Sequence, residues 1–178
     1  MGAMGIALAL ALVLGPAPAA DYPPIVKAKE LYATKDFRGE KAPKLEFGKV
    51  LHGKLPDLKG KTVLVDFWAT WCGPCRALSP SLTEWQEKFK NDLVIVGVSD
   101  EAESVLTEYL GKTKVGYVVT TDPAKTLSKQ LGVRGIPHVM IVSPDGVVRW
   151  QGFPGSEEDK LTADKIGQII AASKAKGG

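Results

Sequence analysis

This chain is poor in the side chains that build metal centres and disulfide frameworks: its 178 residues include two cysteines and two histidines. A single pair of thiols excludes the multi-bridge scaffold of a small secreted domain. Beside those thiols only His52 and His138 carry imidazole donors, too thin a set to favour a four-ligand structural zinc site. Clusters of Lys and Arg interleaved with aromatics are missing too, and the formal net charge is only +3, so no nucleic-acid footprint is present. Internal repeats are absent. The first twenty residues carry no charged side chain, and their apolar stretch Ile6–Leu14 falls well short of the ~20 residues needed to cross a bilayer.

Hydrophobic residues make up 44% of the chain and charged residues 24%, ordinary globular proportions with room for one well-buried core. The early apolar stretch runs into Gly15-Pro16-Ala17-Pro18-Ala19-Ala20, whose small residues suit cleavage, so residues 1–20 read as a secretory signal. The amino terminus supplies its only positive charge, where Lys or Arg is usual. No cysteine follows it, so a lipid anchor is not expected. The chain is therefore read as exported, to the periplasm or another extracytoplasmic space. Residues 21–40 are a polar lead-in broken by Pro23, Pro24 and Gly39, with a short helix expected over Ile25–Tyr32. Residues 41–174 are expected to form one folded domain, and 175–178 a solvated tail.

Within that domain, Leu45–Leu51 alternates weakly and predicts a short hairpin capping the main sheet. Val63–Trp68 and Leu93–Val98 are apolar runs of strand length, and Tyr117–Thr120 is a third. Leu78, Leu82, Trp85 and Phe89 form the stripe of an amphipathic helix over Pro74–Lys90, bent at Pro80. A second helix is expected from Ser99 or Asp100, carrying Leu106 and Leu110. Asp122-Pro123 predicts an N-cap and first-turn proline for a third, stopped at Gly132. Val139–Val142, the turn Ser143-Pro144-Asp145-Gly146 and Val147–Gln151 predict a hairpin. A closing helix carries Leu161, Ile166, Ile169 and Ile170. Alternating strands and helices that end this way indicate an α/β domain with a central sheet covered on both faces.

Directly after the first buried strand comes Trp71-Cys72-Gly73-Pro74-Cys75, which holds both cysteines. Residues three apart on a helix have Cβ atoms roughly 5–6 Å apart, close to what a disulfide tolerates. The pair can thus open and close one bond with little backbone movement. Unpaired N–H groups and the helix dipole favour a thiolate at the first position, which makes Cys72 the expected nucleophile and Cys75 the resolving thiol. Asp66 stands in a strand of apolar neighbours, where burial raises a carboxyl's acidity constant and leaves it able to exchange a proton near neutral pH. A strand-edge aspartate bound to a backbone N–H is the alternative.

The run Val65-Asp66-Phe67-Trp68-Ala69-Thr70-Trp71-Cys72-Gly73-Pro74-Cys75-Arg76 resembles the active-site signature of thioredoxin. Pro80 fits that family's helix kink, Gly132-Val133-Arg134-Gly135-Ile136-Pro137 resembles its cis-proline loop, and Gly152 fits the glycine after its hairpin. The added strand and helix between Asp100 and Thr121, the lead-in hairpin and the export signal resemble the TlpA/ResA-type branch. The likeness runs from about Lys41 to the end. It implies a thioredoxin-like fold, Asp66 as the buried acid behind Cys75, and a cis bond before Pro137 that packs against the cysteine pair. Ile136 would then offer its backbone to an extended substrate segment, with Trp71, Gly73 and Pro74 completing the groove. Alternatively, Pro137 merely starts a strand and Trp71 belongs to the core. Many members of the branch place Glu three residues after the second cysteine, where this chain has Leu78.

The resulting expectation is a thiol-disulfide oxidoreductase acting on protein disulfides, with no metal and no cofactor beyond the Cys72/Cys75 disulfide. The Gly73-Pro74 dipeptide resembles reducing members, and the branch implies electrons from a membrane thiol donor and targets such as apocytochrome c. A monomer is expected. The alternative is a copper-delivery module in which both thiols hold Cu(I), with His138 assisting. His138 otherwise reads as a partly exposed histidine without chemical duty. A peroxidase would place Pro and Thr seven and three residues before the attacking cysteine, where Val65 and Ala69 stand.

Overall fold

The structure, a computed structural model, describes residues 21–177. The expected export signal lies outside the described residues. Six strands form one mixed sheet in the order β1-β4-β3-β2-β5-β6. Its centre is β2 (Thr62–Phe67), buried at every position because it lies between parallel β3 (Leu93–Ser99) and antiparallel β5 (His138–Val142). A strand flanked on both sides and covered on both faces needs a continuous apolar run, which explains why Asp66 is the one charge in it. Beyond β3 lie parallel β4 (Val118–Thr121) and the edge strand β1 (Val50–His52), antiparallel to β4; β6 (Val148–Gly152) forms the other edge.

Successive side chains on a strand point to opposite faces, and β2 divides the core accordingly. Leu64 and Trp68 join Leu82 and Trp85 of α1 (Gly73–Lys88), Leu106 of α2 (Glu103–Lys112) and Ile166 and Ile169 of α4 (Ala163–Ala175). Val63, Val65 and Phe67 pack with Leu127 and Leu131 of α3 (Thr126–Leu131). The thioredoxin-like sheet with helices on both faces is thus what the chain forms.

Several local expectations are corrected. The segment 45–51 makes no hairpin; its end is the single strand β1, held by pairing to β4. No helix forms over 25–32, where the chain turns and instead bridges Ala33 to Val133. Helix α2 starts at Glu103 rather than near Ser99, because β3 extends to Ser99. Helix α3 starts at Thr126, yet Asp122 still caps it: its carboxylate accepts from Thr126 N at 2.7 Å and Leu127 N at 3.0 Å. Leu161 is buried ahead of α4, and Ala175 belongs to that helix rather than to a tail.

The lead-in straps the β6 side of the sheet. Arg38 bridges Val148, Lys41 bridges Val147, and the buried Lys29 ammonium sits 2.7 Å from Asp159 and 3.7 Å from the Trp150 ring centre. Tyr32 O accepts from Arg134 N at 2.7 Å and Gly135 N at 3.2 Å.

Candidate active site

At the end of β2 the chain stays in the sheet for one more bond, Trp68 N to Val98 O at 3.1 Å, and then turns into α1. Cys72 is the N-cap of α1, with extended backbone, and Pro74 occupies the first turn, where its missing N–H costs nothing. Cys75 N donates to Cys72 Sγ at 3.2 Å. An N–H aimed at a sulfur at the positive end of a sixteen-residue helix favours that sulfur as a thiolate. The two cysteines are joined in a disulfide, with Cα atoms 5.3 Å apart. Cys72 is 4% exposed, while Gly73 and Pro74 beside it are open to solvent.

Asp66 is 1% exposed on the central strand, so the edge-strand alternative does not hold. It alternates with Phe67 and shares the face of Leu64 and Trp68, the face on which α1 and the cysteines pack. Its Oδ1 has no hydrogen-bond partner among the described residues, and burial raises its carboxyl to about 7. Close by, Tyr117 OH pairs with Ser79 of α1 at 3.0 Å, and burial followed by the charge of Asp66 pushes that phenol up. The chain has brought a protonatable carboxyl and the disulfide-bonded cysteine pair into one apolar layer.

The Ile136–Pro137 bond is cis, and neither N–H nor C=O of Ile136 has a hydrogen-bond partner among the described residues. A groove of about 340 Å³ runs beside it, lined by Trp71, Trp68, Phe67, Val98 and Ile136. Trp71 is 71% exposed and is therefore no core residue; Trp68, 6% exposed, fills that place.

His138 is a correction, since it is fully buried. Paired in register with Phe67, it faces α3 and lies across the sheet from Asp66. Gln151 anchors it: Oε1 accepts from Phe37 N at 2.9 Å, while Nε2 donates to Lys35 O at 3.0 Å and reaches His138 Nε2 at 3.2 Å. Burial, then the charge of Lys29, lowers the imidazole to about 4 and keeps it neutral. It is not positioned to complete a copper site with the thiols.

Glu101 and Gln151 carry structural duties that no local sequence pattern marks. The Glu101 carboxylate accepts from Thr70 N and from Thr70 Oγ1, each at 2.7 Å, and so clamps the loop that presents Trp71 and Cys72. Ser99 Oγ donates to the same carboxylate at 3.1 Å.

The chain matches the AhpC/TSA family over residues 37–151. It is 30% identical over 130 residues to the thioredoxin-like protein YneN of Bacillus subtilis, a stretch covering 67% of this chain and 75% of that protein. With the thiol:disulfide interchange protein DsbE of Pseudomonas aeruginosa identity is 35% over 117 residues, covering 64% and 62% of the two chains. With the thiol-disulfide oxidoreductase ResA of Bacillus anthracis it is 32% over 103 residues, covering 55% and 60%. The chain thus spans about three fifths of the latter two relatives. A Chlorobium tepidum crystal structure described as a DsbE-type interchange protein superposes with a TM-score of 0.62 at 30% identity, covering 76% of this chain and 97% of that one. The chain belongs to the AhpC/TSA family within the thioredoxin superfamily, in company with thiol-disulfide oxidoreductases of the TlpA/ResA type.

Proposed function

We propose that this protein reduces disulfides of protein substrates outside the cytoplasm, cycling its own Cys72/Cys75 pair between dithiol and disulfide. In the reduced protein the Cys72 thiolate attacks one sulfur of a substrate disulfide; that bond breaks, the other substrate sulfur leaves as a thiolate, and a Cys72–substrate mixed disulfide forms. Cys75 then gives its proton to Asp66, directly or through a water, and attacks Cys72 Sγ. The second substrate thiolate departs, leaving the substrate with two electrons more and the protein with its disulfide. A membrane thiol donor would restore the dithiol. Trp71, Gly73, Pro74 and the free backbone of Ile136 before Pro137 hold an extended substrate segment by strand addition.

The observation that carries this reading is the sulfur of Cys72 at the mouth of α1, receiving the Cys75 N–H. Val65 and Ala69 occupy the positions where a peroxidase would need Pro and Thr, so the family match does not carry peroxidase chemistry with it. A Cys75→Ser variant is expected to accumulate mixed disulfides with substrate, and trapping by Cys72→Ser instead reverses the two roles. A redox titration of the pair settles direction: a strongly oxidising potential overturns the reductase assignment.

A further inference from the structure

The groove between Trp71 and the loop ahead of Pro137 is lined by four charged residues: Asp100, Asp122, Lys125 and Arg134. Three of them are satisfied within the fold. Asp100 and Lys125 pair with each other at 2.6 Å, and the Asp122 carboxylate is taken up by the N–H groups that open α3. The Arg134 guanidinium has no ion pair and no hydrogen bond among the described residues, although its backbone is fixed by the bond to Tyr32 O. Two residues further on is Ile136, with its backbone free to receive a substrate strand. An exposed, uncommitted cation, carried on a backbone held by Tyr32, therefore lines the groove next to the loop that would receive a substrate strand.

We propose that Arg134 is a specificity-determining residue that favours substrates with an Asp or Glu close to their reactive cysteine and an apolar side chain for the groove. This rests on the oxidoreductase reading above and leaves its chemistry unchanged. A guanidinium offers a fork of donors that matches a carboxylate in two parallel hydrogen bonds. At an exposed rim such a pair adds modest affinity and speeds encounter, with a strong dependence on salt.

The test uses the reduced protein and three cysteine peptides that differ only in a Glu, Gln or Lys walked along the positions around the cysteine. Each carries its cysteine as a mixed disulfide with pyridine-2-thiol, whose release is followed by absorbance. At the optimal position the Glu peptide is expected to react about three- to five-fold faster than the Gln peptide, with the Lys peptide slowest. The Glu-to-Lys rate ratio should collapse in about 1 M salt, where the Debye length is about 3 Å. It should approach one in Arg134→Gln and invert in Arg134→Glu; because the readout is a ratio, a general loss of activity does not obscure it. Equal rates for all three peptides, or a preference that survives Arg134→Gln, overturn the assignment of Arg134 alone. Failure to release the thiol from any peptide contradicts the oxidoreductase reading as well.

Discussion

Asp66 ties the redox site to the pH dependence of the whole molecule. Unfolded, its carboxyl ionises near 3.9; in the fold, burial raises it to about 7. Between those values the native state keeps a proton that the unfolded chain has released. The Asp66 contribution to stability is then fullest below about pH 4, falls as pH rises, and levels off above 7, a loss on the order of 4 kcal/mol; His138, held neutral to about 4, contributes in the opposite sense between about 4 and 6.5. In urea melts of the oxidised protein across this range, the stability difference between wild type and Asp66→Asn should shrink as pH rises from about 4 to 7; a difference that does not change with pH contradicts the Asp66 contribution. The same variant should slow resolution of the mixed disulfide by about 10²-fold, the lower end of what a positioned proton acceptor contributes. At the Thr70 clamp, Glu101→Ala should cost about 1–3 kcal/mol and lower kcat/KM, while Glu101→Gln, which keeps one acceptor, recovers part of both. Asp66 was legible in the sequence because a single acid between Val65 and Phe67 breaks an otherwise apolar strand. Glu101 was not: within Asp100-Glu101-Ala102-Glu103 it reads as a solvated face, and Thr70 lies far back along the chain. The burial of His138 is not legible for a related reason, since its partner Gln151 and the lead-in backbone that Gln151 bonds lie far from it in the chain.

At the level of elements, local chemistry survived where long-range pairing did not decide the outcome. The buried strands β2, β3 and β5 were readable as Val- and Ile-rich runs, and α1 from its stripe of Leu82 and Trp85. The weakly alternating Leu45–Leu51 region fits a hairpin equally well; only the unpaired edge of β4 makes its end a lone strand. Helix α3 shows the same limit, because Asp122 caps it from several residues ahead and Lys125, in left-handed backbone, takes the N-cap place. Its end was clear from Gly132, which adopts φ +65° and whose Cβ, if it had one, would lie 1.8 Å from Thr34 Oγ1. Gly132→Ala is therefore expected to lower stability by roughly 1–3 kcal/mol. Adding Thr34→Ala, which removes the Oγ1 but keeps Cβ at 3.1 Å, should return most of the steric share and leave the backbone share, as read from paired urea denaturation curves.

Across the whole molecule, the lead-in covers the β6 edge and supplies Tyr32 O to the loop ahead of Pro137. Removing residues 21–42 should strip that edge, leave Arg134 N and Gly135 N without their acceptor, and lower the unfolding midpoint. A truncated chain that melts with the longer one contradicts that role for the lead-in. The fold places these parts around one sulfur, Cys72, which must be ionised for any of the proposed exchange to proceed. Titrating the thiolate absorbance of the reduced Cys75→Ser protein reads that state directly. The account predicts a Cys72 acidity constant clearly below the ~8.5 of a free cysteine. A value at or above 8.5 would contradict it.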